Sequence, residues 1–171
     1  HSDTHSFPTR RSSDLADFMS RIDFVRAAAV QHDKQLWLSE LQGGRSAAGF
    51  QPQQAVSAAA QQRWVWSGFA SGASTVLFWC WRDEVFGRES GGFGITGADG
   101  RAEERVEALT TTGSVLTQYD PIFSAYRPAP AEVGIWFSPQ SYYQSWAEEG
   151  DARRPMEAIQ GIARALNRAS V

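Results

Sequence analysis

The sequence predicts an α/β fold, on the evidence of one buried strand and a regular alternation of elements. The stretch "GASTVLFWCW" contains seven residues, Thr75 to Trp81, that are almost uniformly apolar or β-branched and do not alternate. This pattern is typical of a strand buried on both faces of a parallel sheet, which requires helices outside the sheet. The elements run helix, strand, helix, strand, helix, with long loops after the strands. That loop asymmetry favours a (β/α)8 TIM barrel, although a doubly wound open sheet has the same local alternation.

The first predicted element is a helix that ends near Gln31. Its inward face consists of four residues at helical spacing: Phe18, Ile22, Val25 and Ala29. The stretch before it, "HSDTHSFPTRRSSDL", has no hydrophobic periodicity and resembles a translated sequencing adapter. Residues 1–15 are therefore expected to be non-native and disordered, and we exclude His1 and His5 as metal ligands.

A strand and a second helix follow. The run "QLWLSE" predicts a short strand, and "LQGG" predicts a turn, because paired glycines adopt backbone conformations that other residues resist. Pro52 is expected near the start of the next helix. Val56, Ala60 and Trp64 then form an apolar stripe that continues to about Ala70.

A polar loop, "RDEVFGRESGGFGITGADGR", separates the second strand from a third helix. The apolar face of that helix consists of Val106, Leu109, Gly113 and Leu116. Residues 121–131 contain Pro121, Pro128 and Pro130 and are predicted to be a linker. The linker therefore ends a first unit, residues 16–120.

Residues 132–171 are predicted to begin a second α/β domain. "EVGIWFS" has the composition of a strand, and "RRPMEAIQGIARALNRAS" that of a helix with Pro155 near its first turn. The inward residues of this helix are Met156, Ile159, Ala163 and Leu166. One strand and one helix cannot close a core, so the domain is expected to be truncated.

Composition narrows the possible partners. The chain has 171 residues and a formal charge of -3, and its charged residues are interspersed, which argues against nucleic acid as a partner. It contains no apolar stretch near the roughly 20 residues of a membrane span. Cys80 is the one cysteine, so it forms no internal disulfide, and we predict no metal and no cofactor. The seven tryptophans suit stacking on sugar rings as well as core packing.

Two segments resemble the C-terminal end of the catalytic barrel of family 42 glycoside hydrolases, the β-galactosidases. They are "WLSELQGG" and "WVWSGFASGASTVLFWCWRDEVFGRESGGFGITGADGR", and the similarity spans about residues 16 to 140. The resemblance implies that the two strands are the last two of the barrel. It also implies that "AEVGIWFSPQSYYQSW" begins a domain resembling a glutamine amidotransferase, and that the whole protein is a homotrimer.

The resemblance also implies roles for individual residues. Glu40 is similar in position to the nucleophile at the end of strand seven, and Glu89 to the glutamate that contacts the sugar. Arg82 would contact the sugar or orient a catalytic carboxylate, and Trp81 and Trp37 would line the site. Simpler interpretations remain for each residue. Glu40 could be a solvated charge that caps the turn, Glu89 could form an ion pair with a nearby arginine, and both tryptophans could be barrel core.

The family pattern is incomplete in this sequence. Gly92 stands where many members carry histidine, Ala48 stands where many carry tryptophan, and the acid/base glutamate would lie upstream of residue 16. We therefore expect a retaining β-galactosidase as the whole protein and an inactive chain on its own. A non-catalytic carbohydrate-binding relative and a structural assembly module are the alternatives. Localisation is not readable from these residues, and the cytoplasm is the compartment we favour.

Overall fold

The computed structural model describes residues 12–45, 47–48, 51–52, 55–87, 90, 92–101, 103–151 and 153–169. Within them the chain forms six helices: α1 (Ser12–Gln31), α2 (Ala58–Ala70), α3 (Glu104–Gln118), α4 (Asp120–Ala125), α5 (Pro139–Glu149) and α6 (Arg153–Ala169). The strands in the same residues are β1 (Leu36–Gln42), β2 (Ala47–Ala48), β3 (Gln51–Pro52) and β4 (Ala73–Trp79). Among these helices, none is long and apolar enough to cross a lipid bilayer.

The central sheet consists of β1 and β4, which are parallel neighbours. Their register runs from Leu36 opposite Ala73 to Gln42 opposite Trp79, and α2 forms the crossover between them. The strands β2 and β3 form a separate antiparallel pair of two residues each. The mixed α/β class predicted from the sequence is therefore confirmed.

The core lies on one face of the β1–β4 sheet. It is built from buried side chains of α1, β1, α2 and the segment just before α2. These are Phe18, Ile22, Leu36, Leu41, Val56 and Trp64. Val76 and Phe78 of β4 pack against this cluster. The opposite face exposes Leu77 and Trp79 to 46% and 43%, because α1 and α2 contact the sheet from one side. The prediction that Thr75 to Trp81 is buried on both faces is therefore wrong for the described residues.

Two helices begin at residues that differ from the predicted ones. Helix α1 starts at Ser12, four residues before the expected boundary at Ala16. Helix α2 starts at Ala58 and not near Pro52, which belongs to β3. Its N-cap is Ser57, whose hydroxyl accepts a hydrogen bond from the Ala60 N–H at 3.2 Å. A serine cap satisfies a backbone donor that the first helical turn leaves unpaired.

Helices α3 and α4 pack on the outer side of α2. The amide of Gln62 on α2 donates hydrogen bonds to the Ala108 carbonyl and to the Thr112 hydroxyl on α3, at 3.0 and 3.2 Å. Thr112 is the buried residue of α3, whereas Gly113, predicted to face inward, is exposed. Helix α4 occupies the start of the predicted linker, and its Phe123 ring lies 5.1 Å from the ring of Phe69 on α2.

The C-terminal part differs most from the prediction. Residues 132–138 contain no strand, because no described strand lies beside them to pair with their backbone. Helix α5, which the sequence analysis missed, is capped by Ser138 and ends at Gly150, which adopts a left-handed conformation with a φ of 67°. Helix α6 agrees with the predicted helix and contacts both α1 and α5.

Candidate functional site

Glu40 lies near the carboxyl end of β1 and is exposed. Its neighbour Leu41 is 2% exposed and belongs to the core. Leu38 and Leu41 both pack into the core on either side of an irregularity in the strand pairing, whereas Glu40 between them is exposed, so Glu40 projects away from the core. Its carboxylate is thus presented at the end of a parallel sheet and not buried beneath it.

The Gly43–Gly44 turn that follows β1 is packed backbone to backbone against the loop after β4. A side chain at Gly43 would place its Cβ atom 2.6 Å from the Phe93 carbonyl oxygen and 2.9 Å from that of Cys80. A Cβ atom at Gly44 would overlap the Gly94 carbonyl oxygen. Glycine is required in this turn because only a backbone without side chains leaves room for this approach. The turn therefore joins the end of β1 to the loop that follows β4.

That loop folds back along the strand end through backbone hydrogen bonds. The Cys80 N–H donates to the Phe93 carbonyl at 3.1 Å, and the Ile95 N–H donates to the Cys80 carbonyl at 2.8 Å. The Asp83 carboxylate accepts a hydrogen bond from the Gly94 N–H at 2.6 Å. The Trp79–Cys80 peptide bond is cis. The three hydrogen bonds hold both ends of the loop at the end of β4, next to the Gly43–Gly44 turn that follows the strand of Glu40.

Arg82 is exposed and anchors a neighbouring turn. Its Nε atom donates a hydrogen bond to the Ala98 carbonyl at 2.8 Å, and its Nη2 atom donates to the same oxygen. Among the carboxylates that the structure describes, none forms an ion pair with Arg82. In this arrangement Arg82 stabilises the 97–100 turn.

The three exposed tryptophans near the sheet lie at different positions along the strand direction. Trp37 is near the start of β1, three residues before Glu40, which corresponds to roughly 10 Å at about 3.3 Å per residue. Trp81 follows the end of β4 and is 63% exposed. Trp79 is the last residue of β4 and pairs with Gln42, so it lies closer to the strand end than Trp37. Sequence reasoning missed Trp79 because it placed the end of the strand two residues later, at Trp81, whereas β4 ends at Trp79.

Two predicted features concern the loop that carries Glu89. Glu89 itself lies outside the described residues. Gly92, which stands where many family members carry histidine, has a φ of 88°. A side chain there would be strained, and its Cβ atom would lie 3.2 Å from the Arg45 carbonyl oxygen. The backbone of this loop is thus suited to glycine and not to histidine at this position.

Gln61 on α2 is a further residue of this region that the sequence analysis did not identify. It is fully buried, and its Nε2 atom donates hydrogen bonds to the carbonyl oxygens of Gln42 and Gly43. Its position next to the apolar stripe of α2 was the available signal, because a glutamine on a buried helix face needs polar partners.

A cleft of about 840 Å³ lies elsewhere, between α1, α5 and α6. Its walls include Phe24, Phe137 and Trp146, and it contains none of the predicted site residues. We therefore assign the candidate site to the strand ends, where the exposed Glu40 carboxylate is located, and not to this cleft.

Comparisons with known proteins agree with the resemblance noted in the sequence. The model of glycoside hydrolase family 42, described as beta-galactosidase, matches residues 2–119. The match begins within the stretch set aside as adapter-like and ends before α4. No curated protein is detectably similar to the chain.

Solved structures with a similar fold include two beta-galactosidases. One is from the psychrophilic Marinomonas ef1, with 25% identity and a TM-score of 0.50 over 69% of this chain. The other is the polyextremophilic enzyme from the Antarctic haloarchaeon Halorubrum lacusprofundi, with 22% identity and a TM-score of 0.66 over 87% of this chain. The chain spans 17% and 22% of the lengths of these two proteins. Because the family model covers more than half of the sequence, the chain belongs to glycoside hydrolase family 42, the beta-galactosidase family.

Proposed function

We propose that this chain carries the nucleophile Glu40 of a retaining β-glycosidase and that the whole protein hydrolyses terminal β-galactosides. The observation that carries the proposal is an exposed glutamate at the carboxyl end of a parallel strand, within the segment matched by family 42. In barrel enzymes the carboxyl ends of the strands form the active site. We propose accordingly that β1 and β4 are strands seven and eight of a (β/α)8 barrel.

The reaction needs two carboxyl groups about 5 to 5.5 Å apart. Glu40 would attack the anomeric carbon while a second carboxylic acid protonates the departing oxygen, so that a glycosyl ester forms on Glu40. Water then cleaves this ester with the second group acting as a base, and the configuration is retained. We propose that the second group comes from a part of the protein that precedes this chain, and that the chain on its own has no turnover.

The remaining predicted residues are proposed to bind the sugar. Glu89 would accept hydrogen bonds from two adjacent hydroxyl groups, a geometry suited to a carboxylate. Trp81, with 63% of its surface exposed beyond the end of β4, supports a stacking role, and Trp79 is an additional candidate of the same kind. The distance of Trp37 from the strand end favours a more peripheral contact. The bonds from Arg82 to Ala98 support an indirect role, in which Arg82 holds the loop that borders the sugar.

The domain organisation is proposed on the resemblance alone. Residues 16–120 would complete the barrel, 121–131 would connect it, and 132–171 would begin an amidotransferase-like domain through which the whole protein forms a homotrimer. Light scattering on the whole protein would measure its mass. A monomer in solution would contradict the trimer without bearing on the reaction.

The test of the proposed function is a pair of variants of the whole protein, assayed with a chromogenic aryl β-galactoside. Glu40→Gln should lower kcat by about 10⁴-fold or more, the scale on which the loss of a nucleophile slows a hydrolase. Glu107→Gln, which changes an exposed glutamate on α3 in the same way, should leave kcat unchanged.

A covalent label gives an independent result. A 2-deoxy-2-fluoro-galactoside inactivator should leave its sugar on the peptide that contains Glu40, as measured by mass spectrometry. Substantial activity of Glu40→Gln, or a label on another carboxylate, would overturn the proposal. Sugar binding by a whole protein without hydrolysis would instead favour the non-catalytic carbohydrate-binding alternative.

A further inference from the structure

We propose that Gln61 is a positioning residue that holds the Glu40 carboxylate in its reactive orientation by fixing the backbone directly after it. The inference rests on the proposed function, because it assigns a role toward the nucleophile of that reaction. Gln61 would not touch the sugar. It would act through two carbonyl groups at the end of β1.

The contacts of Gln61 converge on the end of β1. The residue is fully buried, at 0% exposure. Its Nε2 atom donates to the Gln42 carbonyl at 3.2 Å and, at a shorter distance, to the Gly43 carbonyl. One amide group on α2 therefore binds two consecutive carbonyls that follow Glu40 by two and three residues. Backbone carbonyls at the end of a strand need such a partner when they are buried.

The strand ladder alone leaves Glu40 less constrained than its neighbours. The register between β1 and β4 shifts once between Leu36 and Trp37, and a second irregularity lies between the pairs Leu38–Val76 and Leu41–Phe78. Glu40 lies inside that irregularity. Because bulged strand segments change where a side chain points, the contacts on the carboxyl side of Glu40 determine its orientation.

The amide of Gln61 has one favourable orientation. With Nε2 directed at two carbonyl oxygens, a rotation by 180° would place Oε1 against them and cause repulsion. Oε1 itself is buried without a hydrogen-bond partner among the described residues. Replacement by methionine, which has a similar shape, removes the two donated bonds and also this unpaired acceptor. The lost donor leaves two backbone carbonyls without this partner, which destabilises the fold, and the loss of the unpaired acceptor offsets that cost in part, so activity has to be compared per folded active site.

The neighbouring residue Gln62 is a matched control. Its amide also donates two hydrogen bonds, but to Ala108 and Thr112 on α3, away from the strand end. Gln61→Met and Gln62→Met therefore make the same chemical change at adjacent positions of one helix. They differ in whether the lost bonds lead to the end of β1 or to another helix.

The experiment compares both variants in the whole protein with the aryl β-galactoside. The inactivator counts competent sites, so each kcat is expressed per active site and partial unfolding does not lower it. Gln61→Met should lower kcat by about 10- to 100-fold, because a misplacement of about 1 Å at a reacting group costs up to about 10²-fold. The KM should stay within about two-fold of the wild type, and the rate of labelling at Glu40 should fall in parallel with kcat.

The outcomes separate the inference from the proposed function. Equal kcat values per site for Gln61→Met, Gln62→Met and the wild type would overturn the positioning role while leaving the nucleophile assignment intact. A rise in KM with an unchanged kcat would also overturn it, because that pattern indicates lost sugar binding. Retention of activity by Glu40→Gln would instead refute the proposed function itself.

Discussion

The sheet-centred part of the chain and its C-terminal helix pair are stabilised in different ways. Around β1 and β4, side chains from two helices enclose a core in which Leu41 and Phe18 are 2% and 3% exposed. Among the described side chains of α5 and α6, none is buried. Helix α6 is attached to α1 by the ion pair of Arg164 with Asp17 at 2.9 Å, and the segment before α5 is attached by the contact of Phe137 with Phe24.

The difference shows that some helices form from local sequence features such as caps, whereas other elements need a core to pack against. Helix α5 has a serine N-cap and a left-handed glycine at its end, and both capping interactions involve only residues next to the helix in the sequence. The sheet depends instead on contacts between residues far apart in the sequence. Substitutions in the sheet-centred part should therefore cost much more stability than comparable substitutions in the helix pair.

The largest effect is expected from removing core volume. Leu41→Ala should lower the free energy of unfolding by about 2 to 5 kcal/mol, because the cavity lies in a closed core. Ile162→Ala on α6 should cost less than about 1 kcal/mol, because Ile162 is 52% exposed. Urea denaturation of the chain, followed by circular dichroism, would measure both. Similar losses for the two variants would show that the helix pair has a core comparable to that of the sheet.

Adding a methyl group to a glycine should have opposite effects in the two regions. Gly43→Ala forces a Cβ atom to within 2.6 to 2.9 Å of three backbone carbonyl oxygens, and we expect a loss of about 1 to 3 kcal/mol. Gly161 on α6 has nothing within 4 Å of the added Cβ, so Gly161→Ala should stabilise the helix by about 0.5 to 1 kcal/mol. Thermal unfolding would measure whether each substitution raises or lowers the stability. A stabilising effect of Gly43→Ala would contradict the close packing of the Gly43–Gly44 turn.

The smallest effect concerns Asp151, before the start of α6. The hydrogen bond from the backbone N–H of Arg153, and then that from its side chain, lower the pKa of Asp151 below the ordinary value of 3.8. A carboxylate with a depressed folded pKa adds stability above its unfolded pKa and loses it as the pH falls through the folded value. Asp151→Asn should thus reduce the helix content of α6 slightly near neutral pH and not in strong acid.

An NMR titration of Asp151 would test the cause of this shift. Arg153→Met removes the side-chain hydrogen bond and keeps the backbone donor, so it should move the pKa of Asp151 only part of the way back. A full return to the ordinary value would show that the side chain of Arg153 is the main cause.

Errors in the predicted elements have a common origin. "EVGIWFS" has the composition of a strand, yet residues 132–138 are not a strand, because a strand needs a neighbour for its backbone groups. The run from Thr75 to Trp81 is predicted to be buried on both faces, but in the described structure its neighbouring elements cover only one face. In both cases the composition shows what a segment can form, and the surrounding elements decide whether it does.

Local patterns in the sequence are sufficient to predict most helices, the two parallel strands, the Gly43–Gly44 turn and the presence of Glu40 at a strand end. Spacing, caps and glycine preferences act within a few residues, so these features are readable before folding. Three features depend on long-range packing: Trp79 lies beside the end of β1, the Gly43–Gly44 turn packs against the loop after β4, and Gln61 binds the carbonyls of Gln42 and Gly43. Those contacts join residues 18 or more positions apart, and their geometry depends on how α2 and β4 pack against β1.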